Sequence, residues 1–294
     1  MPQHITVLDY NPQWTIKYKE EKKKLLTVLK DNCLAIYHIG STSIPQSAAK
    51  PIIDIMGVVK SLEKVDEVSD EFARIGYESL GEFGIAGRRY FRKGGDERTH
   101  QVHIFNADDW TNIVRHLAFR DYLRLHTEER EEYSNLKKEL AQCFPYDIEG
   151  YCKGKEKFVQ DIEKKAFLQY DATWDRLYIA ARKEQYDRKA FPLAEAVDAA
   201  SLITKSGNIY TGTSAVAKSY FRECAESKAV LNMIANGDDQ IAKMLIIKTD
   251  GKIGMPCKTC RKLIVQVNKY AENIEILSDN ETKKSVMLKE IIAE

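Results

Sequence analysis

Cys224-Ala225-Glu226, followed by Pro256-Cys257-Lys258-Thr259-Cys260, sets three thiols and one carboxylate in two short motifs. Three sulfurs meet the protein-ligand count of a catalytic zinc centre, whose fourth position belongs to water, whereas a closed structural site takes four protein ligands. Glu226 stands two residues after the first thiol, where a non-ligating acid/base reaches that water. Each motif runs into helix-compatible sequence, Glu226 to Ile234 and Cys257 to Val267, so both thiol motifs are expected at helix N-termini, where the helix dipole favours thiolate. Three thiolates and one Zn²⁺ still sum to one negative charge. A nearby cation should offset it, and Lys228, Arg222 and Arg261 are the candidates. Buried free cysteines and redox Cys-x-x-Cys pairs are the plainer alternatives. The joint spacing of Cys-x-Glu with Pro-Cys-x-x-Cys favours zinc.

The stretch before the first motif, Ser201 to Gly212 (SLITKSGNIYTG), resembles the β-hairpin that precedes the first ligand in the cytidine deaminases. The order of ligand, acid/base and Pro-Cys-x-x-Cys is the one nucleobase deaminases use. With the hairpin in front, the segment from about Thr173 to the C-terminus resembles the cytidine deaminases and the related blasticidin S deaminases. That resemblance implies that Cys224, Cys257 and Cys260 bind zinc. It also implies that Glu226 shuttles protons while hydroxide attacks the carbon bearing an exocyclic amine, with ammonia as leaving product. Three positions depart from the family. Ser227 stands where Arg often follows Cys-Ala-Glu. Ser214 and Val216 stand where nucleoside-type members place an Asn and a Glu that hold the ribose hydroxyls. A site without those groups reads hydroxyls poorly, so plain cytidine is disfavoured. An aminated pyrimidine with another substituent, or an aminonucleoside of the blasticidin type, stays compatible.

At 294 residues the chain has room for two domains. A boundary is expected near Tyr170, giving residues 1–169 and 170–294, with no Gly/Ser-rich linker between them. A hydrophobic content of 44% beside 30% charged residues is that of a soluble globular protein. The formal net charge of +1 gives no global pull toward nucleic acid or membrane. The N-terminus lacks the basic-then-apolar secretory pattern, and no apolar run reaches the roughly 20 residues of a membrane span; a cytoplasmic location is expected. In such a reducing compartment Cys33, Cys143 and Cys152 are expected to pack rather than pair.

The N-terminal half carries His38-Ile39-Gly40-Ser41-Thr42-Ser43-Ile44-Pro45 and then Lys50-Pro51-Ile52-Ile53-Asp54-Ile55, a small-residue turn leading to a buried strand. Gly40, Ser41 and Ser43 are suited to a phosphate and Asp54 to Mg²⁺. These residues, with Tyr10-Asn11-Pro12-Gln13-Trp14, Arg98 to His103 and Phe119 to His126, resemble the GrpB-like family, which has the nucleotidyltransferase fold; the likeness reaches about Phe167. Active nucleotidyltransferases bridge two Mg²⁺ ions with two acids one position apart, and here the pair is Asp54 and Met56. Gln101 and His103 alternate onto one face of a second strand, where they can join Asp54. Further along, the charges between Val114 and Leu140 predict one solvated helix. Within it Arg115, Arg120 and Arg124 are candidates for surface pairing or phosphate contact. The spacing of Val286, Met287, Ile291 and Ile292 predicts a helix over Lys283 to Ala293.

The expected architecture is α+β followed by α/β: a nucleotidyltransferase-like domain, then a three-layer α/β/α cytidine deaminase-like domain. In the second domain the hairpin, Met244 to Thr249 and Ile274 to Leu277 should share one mixed sheet. The leading function is zinc-dependent deamination of a pyrimidine-type small molecule, with a nucleotide as the partner of the N-terminal domain. One alternative is a Mg²⁺-dependent nucleotidyltransferase whose zinc domain recognises the base; another is a non-catalytic binding or assembly module. Resemblance to cytidine deaminases also implies a homo-oligomer.

Overall fold

The computed structural model describes residues 4–189, 197–216 and 222–292. The chain folds as two compact units, Met1–Tyr170 and Asp171–Glu294. The elements of the first are α1 (Gln13–Leu29), β1 (Cys33–Ile39), β2 (Ile53–Val59), α2 (Glu63–Glu67), α3 (Ser69–Arg74), β3 (Tyr77–Ser79), β4 (Arg89–Lys93), β5 (His100–Asn106), α4 (Trp110–Leu125), α5 (Thr127–Cys143) and α6 (Ile148–Gln169). Those of the second are α7 (Thr173–Lys189), β6 (Ala199–Thr204), β7 (Ile209–Thr213), β8 (Ala215–Val216), β9 (Arg222–Glu223), α8 (Ala225–Ala235), β10 (Ile241–Ile247), β11 (Ile253–Gly254), α9 (Lys258–Val267), β12 (Glu275–Leu277), β13 (Ser285–Met287) and α10 (Leu288–Ile291).

The first sheet runs β1-β2-β5-β4-β3, with β2 and β5 parallel and the other neighbours antiparallel. Alternation along its strands assigns the two faces different tasks. Ile53, Ile55, Val102, Ile104 and Phe91 join Leu25, Val28 and Leu29 of α1 and Phe72 of α3 in one core. Ile39, Asp54, Gln101 and His103 belong to the opposite set of positions, with Asp54 directly beside Gln101 in the β2–β5 register. A satellite core of Ile44, Ala118, Leu123, Tyr133, Ile162 and Ala166 joins α4, α5 and α6.

The single helix expected from Val114 to Leu140 is two helices, broken at His126 (φ −107°, ψ 95°). No Gly or Pro marks the break. Buried Arg130 instead donates to the freed carbonyls of Leu123 and Arg124, so the end of α4 is satisfied by a side chain of α5. The solvated reading of this segment also fails at Lys137, which is 2% exposed. Of the three arginines, Arg115 pairs with Glu163 at 2.7 Å. Arg120 is buried, paired with Asp121 and bonded to His38 O, and Arg124 donates to Ser43 O.

The second sheet runs β13-β12-β10-β6-β7, with β11 also on β10; β10 and β12 are parallel and the other pairs antiparallel. Leu202, Met244 and Ile246 pack with Ala225, Ala229 and Met233 of α8 and Ile264 of α9. The alternate residues Ala199, Leu245, Ile247 and Leu277 pack with Trp174, Leu177 and Ala181 of α7. Helices therefore cover both faces. The terminal helix expected over Lys283 to Ala293 begins as a strand. Val286 pairs with Ile276 at the sheet edge, and only Leu288–Ile291 is helical; the open edge of β12 outweighed the short helical spacing. Ala293 lies outside the described residues. Among the described residues no helix is long and apolar enough to cross a membrane.

Candidate functional site

Cys224 caps α8 with extended backbone (φ −78°, ψ 147°), and Cys257 caps α9 in the same way (φ −66°, ψ 163°). Cys260 lies one turn into α9. The hairpin explains how α8 is placed. Gly212 on β7 faces its first turn, and a Cβ there would meet Ala225 O and Ala229 N at 2.5 Å, so only glycine allows this approach. The result is a cluster in which the Cys224, Cys257 and Cys260 sulfurs all lie within 4.8 Å of one another, with Cys224 Sγ and Cys257 Sγ 3.7 Å apart. Zn–S bonds of about 2.3 Å at tetrahedral angles put sulfurs about 3.8 Å apart. The donor set fits zinc, and among the described residues it is the one group of three or more His, Cys, Asp or Glu side chains that could hold a metal.

Glu226 is 3% exposed and accepts a hydrogen bond from Cys257 N at 3.3 Å. That bond fixes the carboxylate beside the thiols without making it a member of the cluster. Burial, then the neighbouring Glu226 charge, push the Cys260 thiol up; Cys257 is held below its ordinary value by bonds from Cys260 and Cys224 that outweigh its desolvation. The Arg222 side chain lies outside the described residues, as does that of Val216. Lys228 packs over Gly212, and Arg261 Nε is buried without a hydrogen-bond partner. A cation not foreseen from sequence is Lys248, at the end of β10: it bonds Asp198 Oδ2 at 3.0 Å, and Glu226 and Cys224 both favour its charged form. Its distance from the motifs in sequence gave no signal. Ser214 Oγ accepts from Asp198 N at 2.9 Å.

In the first unit, Gly40, Asp54, Gln101 and His103 line one cavity of about 770 Å³ with Phe119, Tyr133 and Lys155. Gly40 has φ +66°, and a Cβ there would collide with the Asp54 carboxylate, so glycine is required twice over. Ser41 and Ser43 do not line the cavity. Ser41 Oγ accepts from Lys137 Nζ at 2.9 Å, and Ser43 Oγ donates to Gly40 O at 2.6 Å. Burial pushes the Asp54 carboxyl from 3.8 up to about 6, against the pull of Lys50, Lys155 and Arg98. A folded-state value above the unfolded one means that the unfolded chain releases this proton first, so its contribution to stability falls as pH rises between those values and then levels off. Asp54→Asn is therefore expected to gain stability relative to the natural protein by up to about 3 kcal/mol between pH 3.5 and 7.5. Denaturant unfolding at the two pH values checks this; an equal difference at both would show an ordinary carboxyl.

A family model described as GrpB protein matches residues 4–165. The UPF0157 protein YqkA of Bacillus subtilis (strain 168) is 46% identical over 162 residues, 55% of this chain and 47% of the relative, so the chain spans about half the length of that protein. The crystal structure of conserved protein GrpB from Enterococcus faecalis is similar over 56% of this chain and 99% of that one, at 50% identity and a TM-score of 0.55. The crystal structure of cytidine deaminase from Mycobacterium leprae matches 42% of this chain and 100% of that one, at 21% identity and a TM-score of 0.36.

Proposed function

The chain belongs to the GrpB family through residues 4–165, and on that premise we propose that it joins a GrpB-like, nucleotidyltransferase-fold domain, residues 1–169, to a cytidine deaminase-like domain, residues 170–294, that hydrolytically deaminates an amino-pyrimidine base, nucleoside, nucleotide or aminonucleoside. The observation that carries this reading is the gathering of Cys224, Cys257 and Cys260 beside buried Glu226. Three thiolates would hold the zinc, which supplies Lewis-acid activation of water. In this reading Glu226 takes a proton at its free carboxylate oxygen and returns it to the leaving amine; the bond that its other oxygen accepts from Cys257 N–H supports the assignment. Lys248, although paired with Asp198 at 3.0 Å, also acts electrostatically on Glu226 and Cys224, and would offset in part the excess negative charge of a three-thiolate centre.

The Mg²⁺-dependent nucleotidyltransferase alternative has less support, because Met56 takes the second acid's place on β2 and, among the described residues, no group of three acidic or imidazole ligands gathers there. The test of the leading reading is an ammonia-release screen of the full chain with zinc across cytosine, nucleosides, nucleotides and aminonucleoside antibiotics. One class is expected to release ammonia, and none doing so would refute the reading. Plain cytidine is expected to turn over weakly or not at all, because the one hydroxyl at the ribose-holding positions within the described side chains, that of Ser214, already bonds Asp198 N. Steady-state kinetics on cytidine check this, and efficient hydrolysis would show that other groups hold the ribose.

A further inference from the structure

We propose that the cavity over β2 and β5 binds a hydroxylated phosphate monoester directly, without a bridging divalent cation, with Lys155 holding the phosphate and Asp54, Gln101, His103 and His116 reading the hydroxyls. At about 770 Å³ the cavity has the size of a small-ligand site. It lies wholly within the first unit, and the inference does not depend on the zinc reading.

The charges around Asp54 exclude the cation and call for an anion. Lys50, Lys155 and Arg98 all act on Asp54 electrostatically, yet none of them forms an ion pair among the described residues. Lys137, 2% exposed and within electrostatic reach of Lys155, is held by neutral groups, the oxygens of Ser41, Ser47 and Ala48 and the face of the Tyr133 ring. Three cations thus act on one carboxylate, and Lys137 acts on Lys155. Burial holds the Lys50 and Lys137 amines below their ordinary range, whereas at Lys155 burial is outweighed by Tyr133, Tyr151, Cys152 and Asp54, which hold its amine above the ordinary value and so keep it charged. A divalent cation placed at Asp54 would meet this repulsion with one carboxylate to hold it, whereas a phosphate relieves it. Arg115 is already neutralised by Glu163 at 2.7 Å, and Glu149, Glu156 and Lys153 lie at the exposed rim, where water and salt screen them. Lys155 is the lining cation left for a ligand.

The two imidazoles of the cavity have opposite, fixed tautomers. Arg88 Nη1, a donor only, lies 3.1 Å from His103 Nδ1, so the His103 proton sits on Nε2. His116 Nδ1 lies 2.7 Å from Asn112 O, an acceptor only, so the His116 proton sits on Nδ1 and its Nε2 is a lone pair. Burial keeps both rings neutral, pulling His116 down to about 4 and His103 well below its usual range. One free imidazole donor, one free imidazole acceptor, the Asp54 carboxylate and the Gln101 amide make a set that vicinal hydroxyls satisfy, since each hydroxyl both donates and accepts.

Calorimetry of the full chain with ribose 5-phosphate and with ribose, each in EDTA and in excess Mg²⁺, tests the proposal. Ribose 5-phosphate is expected to bind in EDTA at least about tenfold more tightly than ribose, the scale of one charge-assisted hydrogen bond, and no more tightly in Mg²⁺. Lys155→Gln should lose at least about tenfold in affinity for ribose 5-phosphate, while Lys155→Arg retains most of it. Binding that requires Mg²⁺, equal binding of ribose, or no binding of either sugar would each overturn the proposal. These last three outcomes are read on the natural protein, so they decide the matter even where a variant folds poorly.

Discussion

Glu226→Gln is expected to lower ammonia release by at least about a hundredfold, the low end for loss of a general acid/base, while zinc content stays that of the natural protein. Glutamine preserves volume and keeps an oxygen for the bond from Cys257 N, so the start of α9 should not move. What it removes is the capacity to carry a proton. Glu226 is also outside the thiol cluster, which is why metal and turnover should separate in this variant. Turnover on the substrate found by the ammonia screen is measured beside elemental zinc. Near-natural turnover in a fully metallated variant would remove Glu226 from the reaction, and joint loss of zinc and turnover would show that its role is structural.

Cys257→Ser should weaken zinc binding by at least about a hundredfold and abolish zinc-dependent turnover with it, since changes even to outer-shell partners cost ten- to a hundredfold. The substitution isolates the metal. Cys257 is exposed, and its sulfur accepts from Cys260 N as the N-cap of α9. Serine is among the preferred N-cap residues, so the helix keeps its start while the thiolate is lost. Competition against a zinc-binding dye gives the affinity, and far-ultraviolet circular dichroism confirms the fold. Natural affinity in this variant would mean that the metal, if any, is not held by the Pro-Cys-x-x-Cys motif.

The two thiol motifs were legible because their chemistry is local. Extended backbone at Cys224 and Cys257 followed at once by α8 and α9 is what a ligand-bearing helix start looks like in sequence. β10 and β12 were legible as apolar runs, and Gly212 as a hairpin residue, although its tight packing on α8 needs the fold to be seen. What escaped was set by distant partners. Arg130 ends α4 by reaching back to Leu123 and Arg124, a break that no Gly or Pro announces. Lys137 sits in a run of alternating charges that reads as solvated, yet its ammonium is buried against Ser41, Ser47 and Ala48 O. Lys248 reaches Glu226 and Cys224 electrostatically only once β10 is paired. In the first unit the turn residues divided: Gly40 lines the cavity with Asp54 and His103, while the hydroxyls of Ser41 and Ser43 serve the turn itself.

The most direct test of zinc-dependent deamination is a zinc titration of the chelator-stripped full chain, following ammonia release on the substrate class identified by the screen. Release should rise in proportion to added zinc and level off at about one equivalent per chain, the stoichiometry of one three-thiolate centre. Ammonia release that is the same in stripped and zinc-loaded protein would contradict zinc-dependent deamination.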